Sequence, residues 1–172
     1  MIAPTAIIRG VGLNFNFDLI DVPETTGFYN SNLNNKMIYA VDAIKSGKYD
    51  FGFVHIKAVD DAGHDKDYDM KVKQLEKSDK AVELLIKLLG QLDEDTLIVI
   101  TGDHTTPVHY GDHTSEPVPV LISSAHAARS GKALPWADMC DRFDEVACGL
   151  QGGLGRFCGN HIIEVTKKLM QK

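Results

Sequence analysis

The sequence has 172 residues, of which 44% are hydrophobic, and a formal net charge of −6. This length fits one ordinary domain, and the hydrophobic content suffices for a buried core, which excludes a disordered chain. The net negative charge argues against electrostatic binding to nucleic acid or to an anionic membrane, because both require clustered lysine and arginine.

Strand and helix signals alternate along the first part of the chain. Residues 6–8 are a short apolar run that fits a buried strand, and the glycines of residues 9–12 then break it. Polar side chains at residues 30–32 can cap a helix that Gly47 ends. Residues 51–57 are rich in aromatic and β-branched side chains without strict alternation, which predicts a strand covered on both faces.

A polar segment, residues 58–66, follows this strand as a loop or helical turn. Apolar positions at helical spacing then predict a long amphipathic helix that Gly90 closes. Residues 96–101 form the clearest buried strand of the chain. Residues 118–122 form another strand, in which a proline indicates an edge or a strand beginning.

The tail holds a glycine-rich turn at residues 152–155 and a helix from about residue 160 to residue 170. Strands that alternate with helices in this order predict parallel crossovers. We therefore predict an α/β fold, a parallel-sheet αβα sandwich with its polar loops gathered at the carboxyl ends of the strands. No linker or repeat divides the sequence, so residues 1–172 are predicted to form one domain.

The cellular compartment is predicted from what the chain lacks. No apolar stretch approaches the roughly 20 residues of a membrane span, and the first residues do not follow the plan of a signal peptide. Cys140, Cys148 and Cys158 are odd in number and match no zinc-binding spacing, which favours reduced thiols. We expect a cytoplasmic protein.

Acidic residues and histidines cluster where two predicted strands end. Asp60 and His64 are four residues apart after one strand, so a tight loop or helical turn can point both side chains the same way. Asp103 and His104 follow a second strand, and His113 comes within ten residues of them. Mixed carboxylate and imidazole ligands suit Zn²⁺ or Mn²⁺, whereas calcium and magnesium cages favour oxygen alone. The cluster therefore predicts a site for divalent metal.

Any one histidine by itself would be an ordinary surface or core residue, and only clustering favours the metal interpretation. Lys57, just before the cluster, fits two interpretations equally: a positive charge for a phosphoryl group, or a strand-end lysine that reaches solvent. The histidines without an acidic partner at useful spacing are predicted to be structural; they are His55, His109, His126 and His161.

The segments that carry the cluster are residues 54–67, 101–107 and 111–119. In their residues and in their order along the chain, these segments resemble the archaeal-type, cofactor-independent phosphoglycerate mutases of the alkaline phosphatase superfamily. A looser similarity extends to residues 9–12, 22–27 and 152–156.

The resemblance implies that 3-phosphoglycerate and 2-phosphoglycerate are interconverted through a phosphoserine or phosphothreonine, without 2,3-bisphosphoglycerate, in glycolysis and gluconeogenesis. It implies two divalent metal ions (Mn, Zn, Co or Mg), and contact between Lys57 and the migrating phosphoryl group. The ligands that it implies are Asp60, His64 and His113 for one ion, and Asp103 with His104 for the other.

The sequence departs from the family pattern at its beginning. In the family, a further metal-binding aspartate and the nucleophile lie ahead of an inserted substrate-binding domain, and the hydroxyls of Thr105, Thr106 and Ser115 match non-nucleophilic positions. The chain therefore resembles the carboxyl-terminal half of the enzyme, and we expect the isolated chain to bind metal imperfectly and not to turn over substrate. Its uncovered sheet would favour self-association or a missing amino-terminal half as partner.

Two other kinds of function compete with the mutase. Phosphatases, phosphodiesterases, sulfatases and homoserine-kinase-like proteins of the same superfamily share the two-metal edge, although residues 57–64 favour the mutase. A non-catalytic metal-binding fragment that stabilises a partner chain is the alternative from another class.

Overall fold

A computed structural model describes residues 1–171 and has the predicted α/β character. Within this part of the chain, contacts define two compact units: Met1–Leu88 with Thr106–Asp112, and Leu89–Thr105 with the chain from His113 onward. None of the helices in residues 1–171 is both long and apolar enough to cross a membrane. The helices and strands are α1 Ala6–Asn14, α2 Leu33–Lys45, α3 Ala58–His64, α4 Tyr68–Leu89, β1 Leu97–Thr101, β2 Val120–Ser124, α5 Ala125–Ser130, α6 Glu145–Gln151 and α7 Ile162–Met170.

Helix α2 of the first unit confirms the helix predicted from its caps. The Asn32 side chain accepts a hydrogen bond from the Asn35 backbone N–H at 3.1 Å and so satisfies a donor of the first turn. Gly47 follows the helix with φ of +66°, a conformation that favours glycine. Leu33 and Met37 bury the inner face of α2 against other apolar residues of the unit.

Helix α4 confirms the predicted long helix, and it ends just before Gly90 as expected. Ala81 is fully buried in the cluster that α4 shares with α2. The predicted apolar stripe is only partly buried, because Tyr68, Val72 and Leu75 at its beginning are exposed. Burial along α4 therefore concentrates in its second half.

The strand predicted at residues 6–8 is wrong, because helix α1 begins there and Ile7 is 77% exposed. The strand-like contact comes earlier: the Ile2 N–H donates to the Phe53 carbonyl at 2.8 Å, and the His55 N–H donates to the Ile2 carbonyl at 2.9 Å. A short apolar run does not distinguish a strand from a helix. Pairing by Ile2 decided the assignment.

Residues 51–57 do not form the predicted covered strand. The described backbone makes a single parallel bridge there, between Ile2 and Val54, and both Phe51 and Phe53 are exposed. The polar segment after it is the seven-residue helix α3, one of the two predicted forms. Two acidic residues in its first turn suit the positive end of the helix dipole.

The second unit contains the strand pair β1 and β2. Strand β1 confirms the prediction, whereas β2 begins two residues later than predicted. The pair is antiparallel, with Leu97 opposite Ser124 and Thr101 opposite Val120, so the predicted parallel crossover does not hold for these strands. The connection between them turns back through a further antiparallel bridge from Thr105 to Thr114 instead of a crossover helix.

Three helices complete the second unit. Helix α7 confirms the predicted terminal helix and follows a 3₁₀ turn at Gly159–His161. Helices α5 and α6 were not predicted, although each has an ordinary side-chain cap. The Ser124 hydroxyl accepts from the Ala127 N–H at 3.0 Å, and the Asp144 carboxylate accepts from the Ala147 N–H at 2.7 Å.

Lys36 is a buried lysine on α2, only 1% exposed. Its ammonium donates a hydrogen bond to the His55 carbonyl at 2.8 Å. Burial lowers the pKa of Lys36 from 10.5 to about 8, and the charge of Lys77 acts in the same direction. The folded state therefore holds this proton less tightly than the unfolded chain does.

The free energy of unfolding should consequently rise with pH between about 8 and 10.5, where only the unfolded chain keeps the proton. The contribution of Lys36 to this rise should be on the order of 3 kcal/mol. Denaturant titrations at both pH values should show the rise in the wild type and lose it in Lys36→Met. Lys45→Met, an exposed lysine of the same helix, is the matched control. Equal slopes for wild type and Lys36→Met would contradict the assignment.

Candidate metal centre

Helix α3 brings the predicted pair Asp60 and His64 together in the first unit. The two residues are one helical turn apart, so their side chains lie on the same face. The distance from Asp60 Oδ1 to His64 Nε2 is 3.3 Å. Both side chains keep partial access to solvent, at 23% and 35%. An oxygen and a nitrogen donor therefore lie close together at an accessible position.

Residues 106–112 belong to the same unit and hold both side chains. Thr106 Oγ1 donates a hydrogen bond to Asp60 Oδ1 at 2.7 Å. His64 Nδ1 lies 3.1 Å from the Gly111 carbonyl oxygen, and because a carbonyl only accepts, Nδ1 carries the proton of this bond. Nε2 is then left facing Asp60, where it can share a proton or a cation with the carboxylate. A backbone partner that orients an imidazole in this way is typical of metal-binding histidines.

The charge of Asp60 is stabilised by Lys57. Lys57 Nζ lies 2.6 Å from Asp60 Oδ2 and 2.7 Å from Asp61 Oδ1. Burial alone would raise the pKa of Asp60, but hydrogen bonds from Lys57 and Thr106 lower it to about 2. Asp60 is therefore ionised at neutral pH, as a metal ligand must be. The donor chemistry of Asp60 and His64 fits a divalent cation of the zinc or manganese type.

The Lys57 ammonium binds the carboxylates of Asp60 and Asp61 and does not extend into solvent. Burial lowers its pKa, but the hydrogen bonds to Asp60 and Asp61 outweigh burial and raise the pKa above its ordinary value. Its ammonium is therefore charged and held beside the candidate ligands. The predicted contact with a phosphoryl group requires this charge, and the contact itself stays a prediction.

The second unit brings the other predicted ligands together. Asp103 and His104 follow β1, and His104 Nε2 lies 3.5 Å from Asp103 Oδ2. The His104 and His113 rings stack with their centroids 3.6 Å apart. The bridge between Thr105 and Thr114 fixes this pair, because these threonines adjoin the two histidines in the chain.

The sequence pattern did not predict the contacts of some residues in the candidate centre. Thr106 is buried, and its carbonyl also accepts a hydrogen bond from Lys71, so it connects α4 to Asp60. Its hydroxyl, predicted not to be a nucleophile, donates a hydrogen bond to the candidate ligand Asp60. Asp61 is likewise a partner of Lys57 that spacing alone did not single out. Only their positions in the fold reveal these contacts.

Two of the histidines predicted to be structural have defined surroundings. His126 Nε2 lies 2.8 Å from the Leu92 carbonyl in the second unit, which is a structural hydrogen bond. His109 is exposed in the loop of residues 106–112.

Gly63 allows α3 and residues 106–112 to approach closely. A Cβ atom at Gly63 would lie 2.4 Å from the Thr106 carbonyl oxygen and 2.9 Å from Thr106 Cγ2. Such distances are too short for any side chain, and the first contact is with backbone. The hydrogen bond between Thr106 and Asp60 therefore depends on a glycine at this position.

A family model and individual relatives both match this chain. The model of the Metalloenzyme superfamily matches residues 1–163. The chain is 36% identical over 173 residues to a 2,3-bisphosphoglycerate-independent phosphoglycerate mutase of Methanopyrus kandleri, covering 100% of this chain and 38% of the relative. The corresponding enzyme of Pyrococcus furiosus is 33% identical over 171 residues, covering 99% of this chain and 38% of the relative.

A solved structure is also similar to this chain in fold and in sequence. The PH0037 protein of Pyrococcus horikoshii superimposes with a TM-score of 0.85 at 32% identity, covering 99% of this chain and 48% of that chain. The chain thus spans about two fifths of the length of the curated relatives.

Gly63→Ala should weaken the first unit, because the new methyl group must displace the Thr106 backbone. We expect a loss of about 1–3 kcal/mol in the free energy of unfolding, against the small gain that alanine normally brings to a helix. Thermal unfolding measures the change. Gly10→Ala in α1 is the control, since a Cβ there meets no atom within 4 Å. A Gly63→Ala variant as stable as Gly10→Ala would mean that residues 106–112 do not lie against α3.

Proposed function

Because the chain belongs to the Metalloenzyme superfamily, we propose that it is the metal-holding part of a phosphoglycerate mutase. The enzyme would interconvert 3-phosphoglycerate and 2-phosphoglycerate. The observation that carries the proposal is the pairing of Asp60 with His64, whose Nδ1 is bonded to a backbone carbonyl so that Nε2 faces the carboxylate. The names of the relatives supply the substrate.

The proposal assigns the ligands to two divalent ions. Asp60 and His64 have the donor chemistry for one ion, and the stacked pair of His104 and His113 presents imidazoles in the second unit. Manganese, zinc, cobalt and magnesium are the candidate metals. The proposed sets are Asp60, His64 and His113 for one ion, and Asp103 with His104 for the other.

The residues of the first unit have separate tasks in this proposal. Two bound cations would supply Lewis-acid stabilisation of the charge that develops on a phosphoryl group during transfer. Lys57 adds a fixed positive charge that can contact the migrating phosphoryl group. Asp61 keeps that ammonium in place, and Thr106 keeps the Asp60 carboxylate aimed. Neither of these two tasks requires contact with substrate.

We propose further that the phosphoryl group passes to a serine or threonine hydroxyl and returns to the other oxygen of glycerate. This hydroxyl would lie in the part of the relatives that the present chain does not span. A complete parallel-sheet αβα sandwich would likewise need strands beyond these residues. By this proposal the chain alone binds metal imperfectly and does not turn over substrate.

A partner polypeptide would cover an apolar surface of the first unit. The surface includes a groove of about 420 Å³, lined by Phe15, Phe17, Phe51 and Phe53. Along α1, Ile7 and Val11 are at least half exposed. We propose that the remaining part of a mutase chain occupies this surface, because the relatives are more than twice as long as the present chain.

Activity assays distinguish the mutase from its alternatives. The chain is loaded with Mn²⁺ and incubated with 3-phosphoglycerate, with and without the amino-terminal half of a relative, and 2-phosphoglycerate is measured by coupling to enolase. Isomerisation only in the presence of the partner supports the proposal. Release of inorganic phosphate without isomerisation would indicate a related phosphatase. A complex that binds metal but transforms no phosphate ester would indicate a binding fragment.

His64→Ala and His113→Ala should lose bound divalent metal, because each substitution removes a proposed ligand of the same ion. Elemental analysis after dialysis against limiting Mn²⁺ or Zn²⁺ gives the stoichiometry directly, without any activity. His109→Ala, an exposed histidine of residues 106–112, should keep the wild-type metal content. Unchanged stoichiometry in both ligand variants would reject the proposed site.

The isolated chain should self-associate and bind a hydrophobic dye through its uncovered apolar surface. Phe15→Asp, at the groove, should lower both signals, which are measured by size-exclusion chromatography with light scattering and by dye fluorescence. Phe28→Asp replaces a phenylalanine that is equally exposed but lies outside the groove, and it should lower neither. A monomeric wild-type chain that binds no dye would contradict the proposed partner surface.

A further inference from the structure

Two of the three cysteines lie side by side in the second unit. The Cys140 thiol donates to the Arg142 carbonyl oxygen at 3.2 Å, and the Cys148 sulfur lies 3.8 Å from the same oxygen. Both are half-buried, whereas Cys158 is exposed. The structure therefore places a pair of thiols around one backbone oxygen.

Backbone contacts hold the segments that carry this pair. The Asp138 carboxylate accepts from the Cys140 N–H at 3.1 Å and from the Gly153 N–H at 2.6 Å. This single side chain thus ties the beginning of the loop to the residues after α6. At the other sulfur, the Cys148 N–H donates to the Asp144 carbonyl at 2.9 Å within the first turn of α6. Closeness of the thiols is consequently a property of a closed loop and not of two freely moving side chains.

We propose that Cys140 and Cys148 form a reversible disulfide with each other. The reaction is thiol–disulfide exchange with a small-molecule disulfide such as oxidised glutathione. A thiolate of the pair attacks one sulfur of that disulfide, which releases one small thiol and leaves a mixed disulfide on the protein. The second protein thiolate displaces the other small thiol. The protein loses two protons and two electrons, and the small disulfide is reduced to two thiols.

Burial affects the reactivity of one thiol of the pair. Burial raises the pKa of the Cys148 thiol, and the neighbouring Cys140 raises it further. Since the thiolate is the nucleophile, a raised pKa lowers the fraction of Cys148 that can attack a disulfide at neutral pH. Either thiol can nevertheless resolve a mixed disulfide that forms on the other.

The proposal does not depend on the proposed mutase function. None of the proposed metal ligands lies between residues 138 and 153, so the pair can be tested in this chain whether or not it binds metal. Oxidation would close the short loop between Cys140 and Cys148 and so restrict the beginning of α6. Cys158, outside this loop, gives an internal comparison in the same molecule.

The experiment equilibrates the reduced chain with mixtures of reduced and oxidised glutathione, and then alkylates the remaining thiols. Mass spectrometry of the intact chain and of its peptides identifies every bond. We expect the loss of two hydrogen atoms, a single Cys140–Cys148 cross-link, and one alkylated residue, Cys158. The Cys158→Ser chain should give the same cross-link. Cys140→Ser and Cys148→Ser should each give none.

Two outcomes would overturn the proposal. One is a wild-type chain that carries only mixed disulfides with glutathione, or three alkylated thiols, at every ratio of oxidised to reduced glutathione. The other is a cross-link that includes Cys158. Circular dichroism of the reduced wild type and of each serine variant shows whether the chain is folded, and the wild type alone decides the result if a serine variant does not fold.

Discussion

The carboxylate of Asp60 accepts hydrogen bonds from Lys57 and Thr106 together, and the candidate metal centre of the first unit depends on these two bonds. A carboxylate removed from water is costly unless it is paired and hydrogen-bonded. Here each of its oxygens has a donor, so the charge persists beside the His64 imidazole. Lys71 binds the carbonyl of Thr106 and thereby fixes the second donor in turn.

A short helix could not hold this arrangement by itself. Helix α3 has only seven residues, and helices of this length are unstable in water without tertiary contacts. Residues 106–112 supply those contacts at Gly63, at Asp60 and at His64. The same contacts that stabilise the helix therefore orient the two side chains with metal-binding chemistry. Stability and the proposed function of this unit rest on one set of interactions.

The first unit also has apolar side chains that are exposed to solvent. Phe15 and Phe51 are both more than half exposed, and the only charged residue of α1, Arg9, is paired with Asp21. An uncharged helical face of this kind is costly to leave in water. Its presence in a chain that spans about two fifths of its relatives is the physical basis for proposing a polypeptide partner.

Much of the candidate site could be predicted because its signals are local. The spacing of Asp60 and His64 determines that they share a face of any helix, and residues 97–101 are apolar enough to determine a strand. Helix caps such as Asn32 act over three residues, so the sequence predicts them equally well. The family resemblance rested on such short segments, and the superfamily match confirms it.

The tertiary structure decided everything that depends on which distant segments meet. Ile2 took the pairing position beside residue 54, so residues 6–8 became helical, and the return of the chain after β1 made its pairing with β2 antiparallel. The contact of Thr106 with Asp60 and the approach of Cys140 and Cys148 to one carbonyl oxygen were hidden for the same reason. Local periodicity and capping act within a few residues, whereas competition for backbone partners and close packing is resolved only when the whole chain has folded.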